Sequence, residues 1–201
     1  NSLATKEEIL KEINLPVLDR MELQLRRSGI KDISFTKRPD LNWSIKNIKN
    51  LVNQHFEGEY ILLFPFCSPK LHKKKWPYFK ELIKLINNQY GLKYNIAIAP
   101  GPNEIEEAKK YDISLILNKG NSLSINDLIS LIKKSSYVIS NDTGPAHICT
   151  HLNVKGLVLF GSHTTPEKVS IESENLKTIQ VKNLKTLKAD EVFKKIKENL
   201  S

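Results

Sequence analysis

Apolar positions in this chain recur with two rhythms. Before Tyr60 the period is helical. Between Pro16 and Gly29, residues Val17, Met21, Leu23 and Leu25, with Ile30 just beyond, mark one face of a helix. The turn formers Thr36-Lys37-Arg38-Pro39-Asp40 follow. Ser44 is read as the cap of another helix, buried through Ile45, Ile48, Leu51 and Val52. From Tyr60 onward short apolar runs alternate with amphipathic ones. Strands are expected at 60–65, 94–99, 114–117, 137–140, 156–160 and 178–181. Helices are expected at 76–89, 103–111, 124–134, 145–152 and 189–200. Phe79, Leu82, Ile83 and Ile86 line the buried face of the first of these helices, and Leu128, Ile129 and Ile132 that of the third.

Strands that alternate with helices at this spacing predict an α/β, Rossmann-like fold with a parallel sheet and helices on both faces. Residues 59–201 are expected to form that domain, with residues 1–58 preceding it as a helical segment. In such sheets ligands sit outside the carboxyl ends of the strands, so candidate chemistry belongs to the loops that follow strands.

Three such loops carry suitable groups. After the first strand comes Phe66-Cys67-Ser68-Pro69-Lys70-Leu71-His72-Lys73-Lys74-Lys75, closed by Trp76-Pro77. Its lysines are flexible point charges suited to phosphate, and Ser68 adds a hydroxyl. It lacks the glycines of a P-loop, and an ordinary basic surface loop reads the same way. After the second strand comes Pro100-Gly101-Pro102-Asn103-Glu104. Asn103 is read as a helix cap with Glu104 in the first turn; alternatively Glu104 accepts hydrogen bonds from a ribose. After the fourth strand comes Ser140-Asn141-Asp142-Thr143-Gly144-Pro145-Ala146-His147. Pro145 suits a first helical turn, and the amides around Thr143, Gly144 and Ala146 are then expected to point outward as an anion site. His147 lies at the same end. Asp142 beside a phosphate would repel it, so it is expected to pair with a lysine such as Lys74, or to brace the loop.

Composition narrows these readings. The 201 residues carry a formal net charge of +9, which favours anionic partners without choosing among nucleotides, phosphorylated lipids, nucleic acid or a membrane face. The lysines are not interleaved with a set of aromatics, so specific nucleic-acid binding is not expected. Cys67 and Cys149 form no C-x-x-C pair, which points to a reducing, cytoplasmic setting. No apolar run approaches the ~20 residues of a membrane-spanning helix. Asp142-Thr143-Gly144 is a single copy followed by a helix, unlike the paired carboxylates of aspartic proteases. His147 and His151 have metal-ligand spacing, but Ile148 stands where H-E-x-x-H has its base, and no metal is expected.

Taken in order, Lys74-Lys75-Trp76-Pro77, Pro100-Gly101-Pro102-Asn103-Glu104, Asn141-Asp142-Thr143-Gly144-Pro145-Ala146-His147, and Phe160-Gly161-Ser162 with Pro166 resemble the motifs of glycosyltransferase family 9, the ADP-heptose:lipopolysaccharide heptosyltransferases. The resemblance covers roughly Leu15 to Val192. It implies the C-terminal, donor-binding half of a GT-B glycosyltransferase, with residues 1–58 as a helical linker, the remnant of the interdomain region. The donor would be a nucleotide-sugar such as ADP-heptose, and the acceptor a glycan or lipid-linked glycan. It also implies that the general base lies in an N-terminal domain missing from this chain, which on its own would be incomplete and inactive. No metal or further cofactor is implied. Carried over, Ser68 and Lys74 match groups near the donor's phosphates, with Lys73 and Lys75 as alternative registers. Glu104 matches the ribose acid; Asp142, Thr143, Gly144 and His147 match the diphosphate and sugar loop. Phe66 stands where the family has glycine, and Ser162-His163 replaces Pro-Thr. A peripheral position on the inner face of the membrane is compatible with the charge. The alternative is a nucleotide- or phosphate-binding module without catalysis.

Overall fold

Strand β1 (Tyr60–Phe64) is buried along its whole length, and so are β4 (Tyr137–Asn141) and β5 (Gly156–Phe160). Continuous apolar runs of this kind form the interior of a parallel sheet, where both faces are covered. In the computed structural model, which describes residues 4–33 and 39–200, these strands are joined by β2 (Asn95–Ile98), β3 (Ser114–Leu115) and β6 (Leu176–Gln180). All neighbours pair in parallel, and the strand order is β3-β2-β1-β4-β5-β6.

Successive side chains of each strand enter opposite cores. Ile61, Leu63, Ile139 and Leu157 meet α4 (Phe79–Tyr90) and α8 (Ala189–Leu200) through Phe79, Leu82, Val192 and Ile196. Leu62, Phe64, Val138 and Val158 meet α3 (Lys49–Asn53), α6 (Ile125–Lys134) and α7 (Gly144–Leu152) on the other face through Val52, Ile129, Ile132 and Cys149. Each such side chain, once fully buried, contributes on the order of 1.5–3 kcal/mol of transfer free energy.

Several elements differ from expectation. A helix α1 (Lys6–Glu12) begins at a reciprocal cap between Thr5 and Glu8. Helix α2 (Val17–Arg27) has the expected period, yet none of its residues is buried, and Met21 and Ile30 are exposed. Ser44 does not cap a helix: it ends a 3-10 turn, buried, with its hydroxyl donating to the Leu41 carbonyl at 2.9 Å, and α3 starts only at Lys49. In the turn-forming stretch, residues 36–38 lie outside the described residues. The 103–111 helix is a short α5 (Ile105–Ala108) continued by a 3-10 turn. Strand β3 is shorter than expected, and β6 starts earlier. Among the described residues, no helix is long and apolar enough to cross a membrane.

Candidate functional site

The chain leaves β1 toward β2 and leaves β4 toward β5, on the opposite side. Between these adjacent strands the two following loops diverge, and the crevice of a doubly wound sheet opens there. Asn141, the last residue of β4, joins both ends of the lysine loop. Its Nδ2 donates to the Pro65 carbonyl at 2.9 Å, and its Oδ1 accepts from the Trp76 amide at 3.1 Å. Trp76 is itself fixed: its indole Nε1 donates to the Leu187 carbonyl at 2.8 Å, and its ring meets Phe79 edge-on at 5.0 Å. The segment between folds into the 3-10 turn Pro69–Lys74.

That turn delivers Lys74 to Asp142, with Nζ 2.6 Å from Oδ2. Of the three lysine registers, Lys74 takes this contact, while Lys75 pairs with Glu107. Asp142 is only 3% exposed. His163 Nε2 lies 3.0 Å from the same Oδ2, and His147 Nε2 lies 3.8 Å from Oδ1. A buried carboxylate needs such company, because an unpaired buried charge is strongly unfavourable.

Beside this cluster a cleft of about 450 Å³ is lined by Ser68, Glu104, Thr143 and Gly144, with Phe66 and Leu128 on its apolar side. Four of the expected site residues thus share one cleft. Lys74, Asp142 and His147 do not line it; they form the adjoining cluster, connected through the Asp142–Thr143 peptide. Thr143 is the N-cap of α7 in extended conformation, and its side chain does not cap the helix. Within the first turn of α7, Pro145 has no N–H and the Ala146 amide donates to the Thr143 carbonyl at 3.0 Å, so the Gly144 amide is the one left to solvent or a ligand, at the positive end of the helix dipole. Glu104, not Asn103, occupies the N-cap position of α5. Its Oε2 accepts from the Gly101 amide at 2.8 Å, closing the turn, and the carboxylate keeps further acceptor capacity.

Burial lowers the pKa of His147 below 6.5; Asp142 opposes this and Lys74 adds to it. His147 is then largely neutral near pH 7. The Cys67 thiol is pushed up by burial despite Lys75 and Lys74, so it is no activated nucleophile. Among the described residues no three His, Cys, Asp or Glu side chains converge as a metal site. Two participants, His163 and Asn141, had no role in the sequence reading. His163 stood out only as a departure after Gly161. Its position in a loop just past β5 is the signal that could have found it.

A family model, glycosyltransferase family 9 (heptosyltransferase), matches residues 2–197. The chain belongs to glycosyltransferase family 9. Comparison with curated protein sequences gives no match. Among solved structures, this family 9 chain is similar to the E. coli heptosyltransferase WaaC with ADP, at 22% identity and a TM-score of 0.65, covering 89% of this chain and 54% of that one. It is similar to E. coli ADP-heptose lps heptosyltransferase II at 15% identity and a TM-score of 0.68, covering 94% and 63%. A family 9 glycosyl transferase from Veillonella parvula gives 16% identity and a TM-score of 0.71, covering 92% and 60%. At these identities the likeness is one of fold. This family 9 chain spans little more than half the length of WaaC.

Proposed function

We propose that residues 59–201 hold the nucleotide-sugar donor of an inverting glycosyltransferase, and that the enzyme moves a heptose-like sugar onto a lipopolysaccharide or other glycan acceptor. The observation that carries this reading is the cleft at the β1/β4 divergence, where Ser68, Glu104, Thr143 and Gly144 meet at the uncapped start of α7. In the reaction an acceptor hydroxyl bonds to the anomeric carbon while the bond from that carbon to the diphosphate breaks. The hydroxyl proton passes to a base, and negative charge grows on the leaving diphosphate. The α7 dipole and amides stabilise that charge without rearranging. Lys74 reinforces them, because an ammonium that gives one N–H to Asp142 keeps two more. Glu104 holds the ribose, and His147, neutral, flanks the sugar.

Both carboxylates nearest the cleft are committed, Glu104 to Gly101 and Asp142 to Lys74 and His163. The base is therefore neither of them and is supplied by a partner domain. The same observation favours the second reading, a nucleotide-binding module that does not turn over.

Titration calorimetry with ADP and UDP tests the proposal. Binding that weakens in Glu104→Gln and Lys74→Met supports it. If neither nucleotide binds at millimolar concentration, the donor reading is wrong. Turnover of a nucleotide-sugar by the chain alone would contradict the base assignment.

A further inference from the structure

A second cleft, of about 400 Å³, opens at the same edge of the sheet, between the lysine loop and the loop that follows β6. Lys73, Lys75, Lys182 and Lys185 line it with His72 and Asn183, and no Asp or Glu lines it. Lys75 is neutralised by Glu107. Among the described residues, Lys73, Lys182 and Lys185 have no carboxylate within ion-pair distance. Like charges gathered in a concave surface repel one another and focus a positive potential, which an anion relieves.

The loop carrying Lys185 is braced. Asn183 Oδ1 accepts from the Lys185 amide at 3.0 Å, and the Lys185 carbonyl accepts from the Tyr78 hydroxyl at 2.8 Å. Asn183 keeps its side-chain N–H pair for another partner. The wall of the cleft is shared with the donor side. Lys74 and His163 turn inward to Asp142, whereas their chain neighbours Lys73, Lys75 and Ser162 line the basic cleft. Gly161 lets the wall close: a Cβ there would lie 3.3 Å from the Lys73 carbonyl, 3.4 Å from His163 Nδ1 and 3.5 Å from Leu184 Cγ. That Nδ1 is buried and has no hydrogen-bond partner.

We propose that this basic cleft binds the phosphate group of a phosphorylated glycan, and that the glycan is the acceptor. The acceptor role rests on the donor reading above; the anion site does not. With its phosphate held by Lys73, Lys182 and Lys185, the glycan's hydroxyls lie along the Lys74–Asp142–His163 wall and approach the donor across it. Nucleotide and acceptor then have separate cationic sites, so the acceptor does not compete for Lys74.

The test is a nitrogen-15 NMR titration of the chain with glucose 6-phosphate, with glucose as the neutral control and ADP as the donor-cleft probe. The expected result is saturable shifts at Lys73, Ser162, Asn183 and Lys185 with glucose 6-phosphate and none there with glucose. Lys182→Gln/Lys185→Gln, outside the donor cleft, should weaken glucose 6-phosphate about tenfold, as the loss of two charge contacts predicts, and leave ADP affinity unchanged. Equal affinity in the double variant, or shifts spread without saturation over lysines on every face, overturns the site. Co-sedimentation with phosphatidic-acid vesicles without any shift from glucose 6-phosphate overturns the glycan assignment in favour of a membrane surface. Glucose 6-phosphate binding without ADP binding overturns the donor reading and the acceptor role, and upholds the anion site.

Discussion

The ammonium of Lys74 lies 2.6 Å from Oδ2 of Asp142, across 68 residues of sequence. This contact ties the loop after β1 to the loop after β4 at the point where the sheet changes direction. Asp142→Ala leaves Lys74 and His163 gathered around an emptied site and should cost about 3 kcal/mol, the low end for a broken buried pair because Lys74 reaches solvent. Urea unfolding measures it. Adding Lys74→Met should recover part of the loss, giving a nonzero coupling energy in the double-mutant cycle.

Asn141→Ala removes two hydrogen bonds and orphans the Pro65 carbonyl and the Trp76 amide. With roughly 1–3 kcal/mol for each of the two buried groups left unsatisfied, the loss should be about 2–6 kcal/mol. The lysine loop would come loose at both ends, so limited proteolysis between Pro65 and Trp76 should accelerate along with the fall in stability.

Gly144 offers a cleaner separation of binding from folding. A Cβ added there meets nothing within 4 Å, and its φ is not positive. Gly144→Ala should therefore leave the melting temperature unchanged or slightly higher. A methyl group at the start of α7 would still obstruct close approach of a diphosphate to the amides, and ADP affinity should fall about tenfold. Calorimetry and thermal melts on the same sample check both halves.

The central sheet was legible because buried parallel strands leave continuous apolar runs, as at Ile61-Leu62-Leu63, and because turn residues punctuate them. The cleft was legible through the strand-end rule, which brought Ser68, Glu104, Thr143 and Gly144 to one place. At α2 periodicity placed the helix correctly; spacing reports that Met21 and Leu25 share a face, but not that anything covers it. Ser44 misled because a serine hydroxyl serves a turn as readily as a helix cap, here by donating to Leu41. The Thr5–Glu8 cap was readable from its spacing and was overlooked. His163 was hidden for another reason. Its partner Asp142 is 21 residues away, and only the packing of β5 beside β4 brings them together.

Acid should destabilise the fold partly through His147. Burial holds its folded-state pKa below the ordinary 6.5, so the unfolded chain takes up the proton first. The stability contributed is complete above about pH 6.5 and is lost as pH falls through the lower folded value. His151, also lowered by burial and by His147, acts in the same direction. Urea midpoints between pH 7 and about pH 5 should fall, and His147→Gln should reduce the slope.

The central claim is that a nucleotide diphosphate sits at the β1/β4 divergence against the start of α7. A crystal structure of this chain soaked with ADP tests it most directly. The account predicts diphosphate oxygens at the amides of Thr143 and Gly144, the ribose at Glu104, and Lys74 still on Asp142. ADP bound in another cleft, or no ADP at millimolar concentration with the cleft open to solvent, would contradict it.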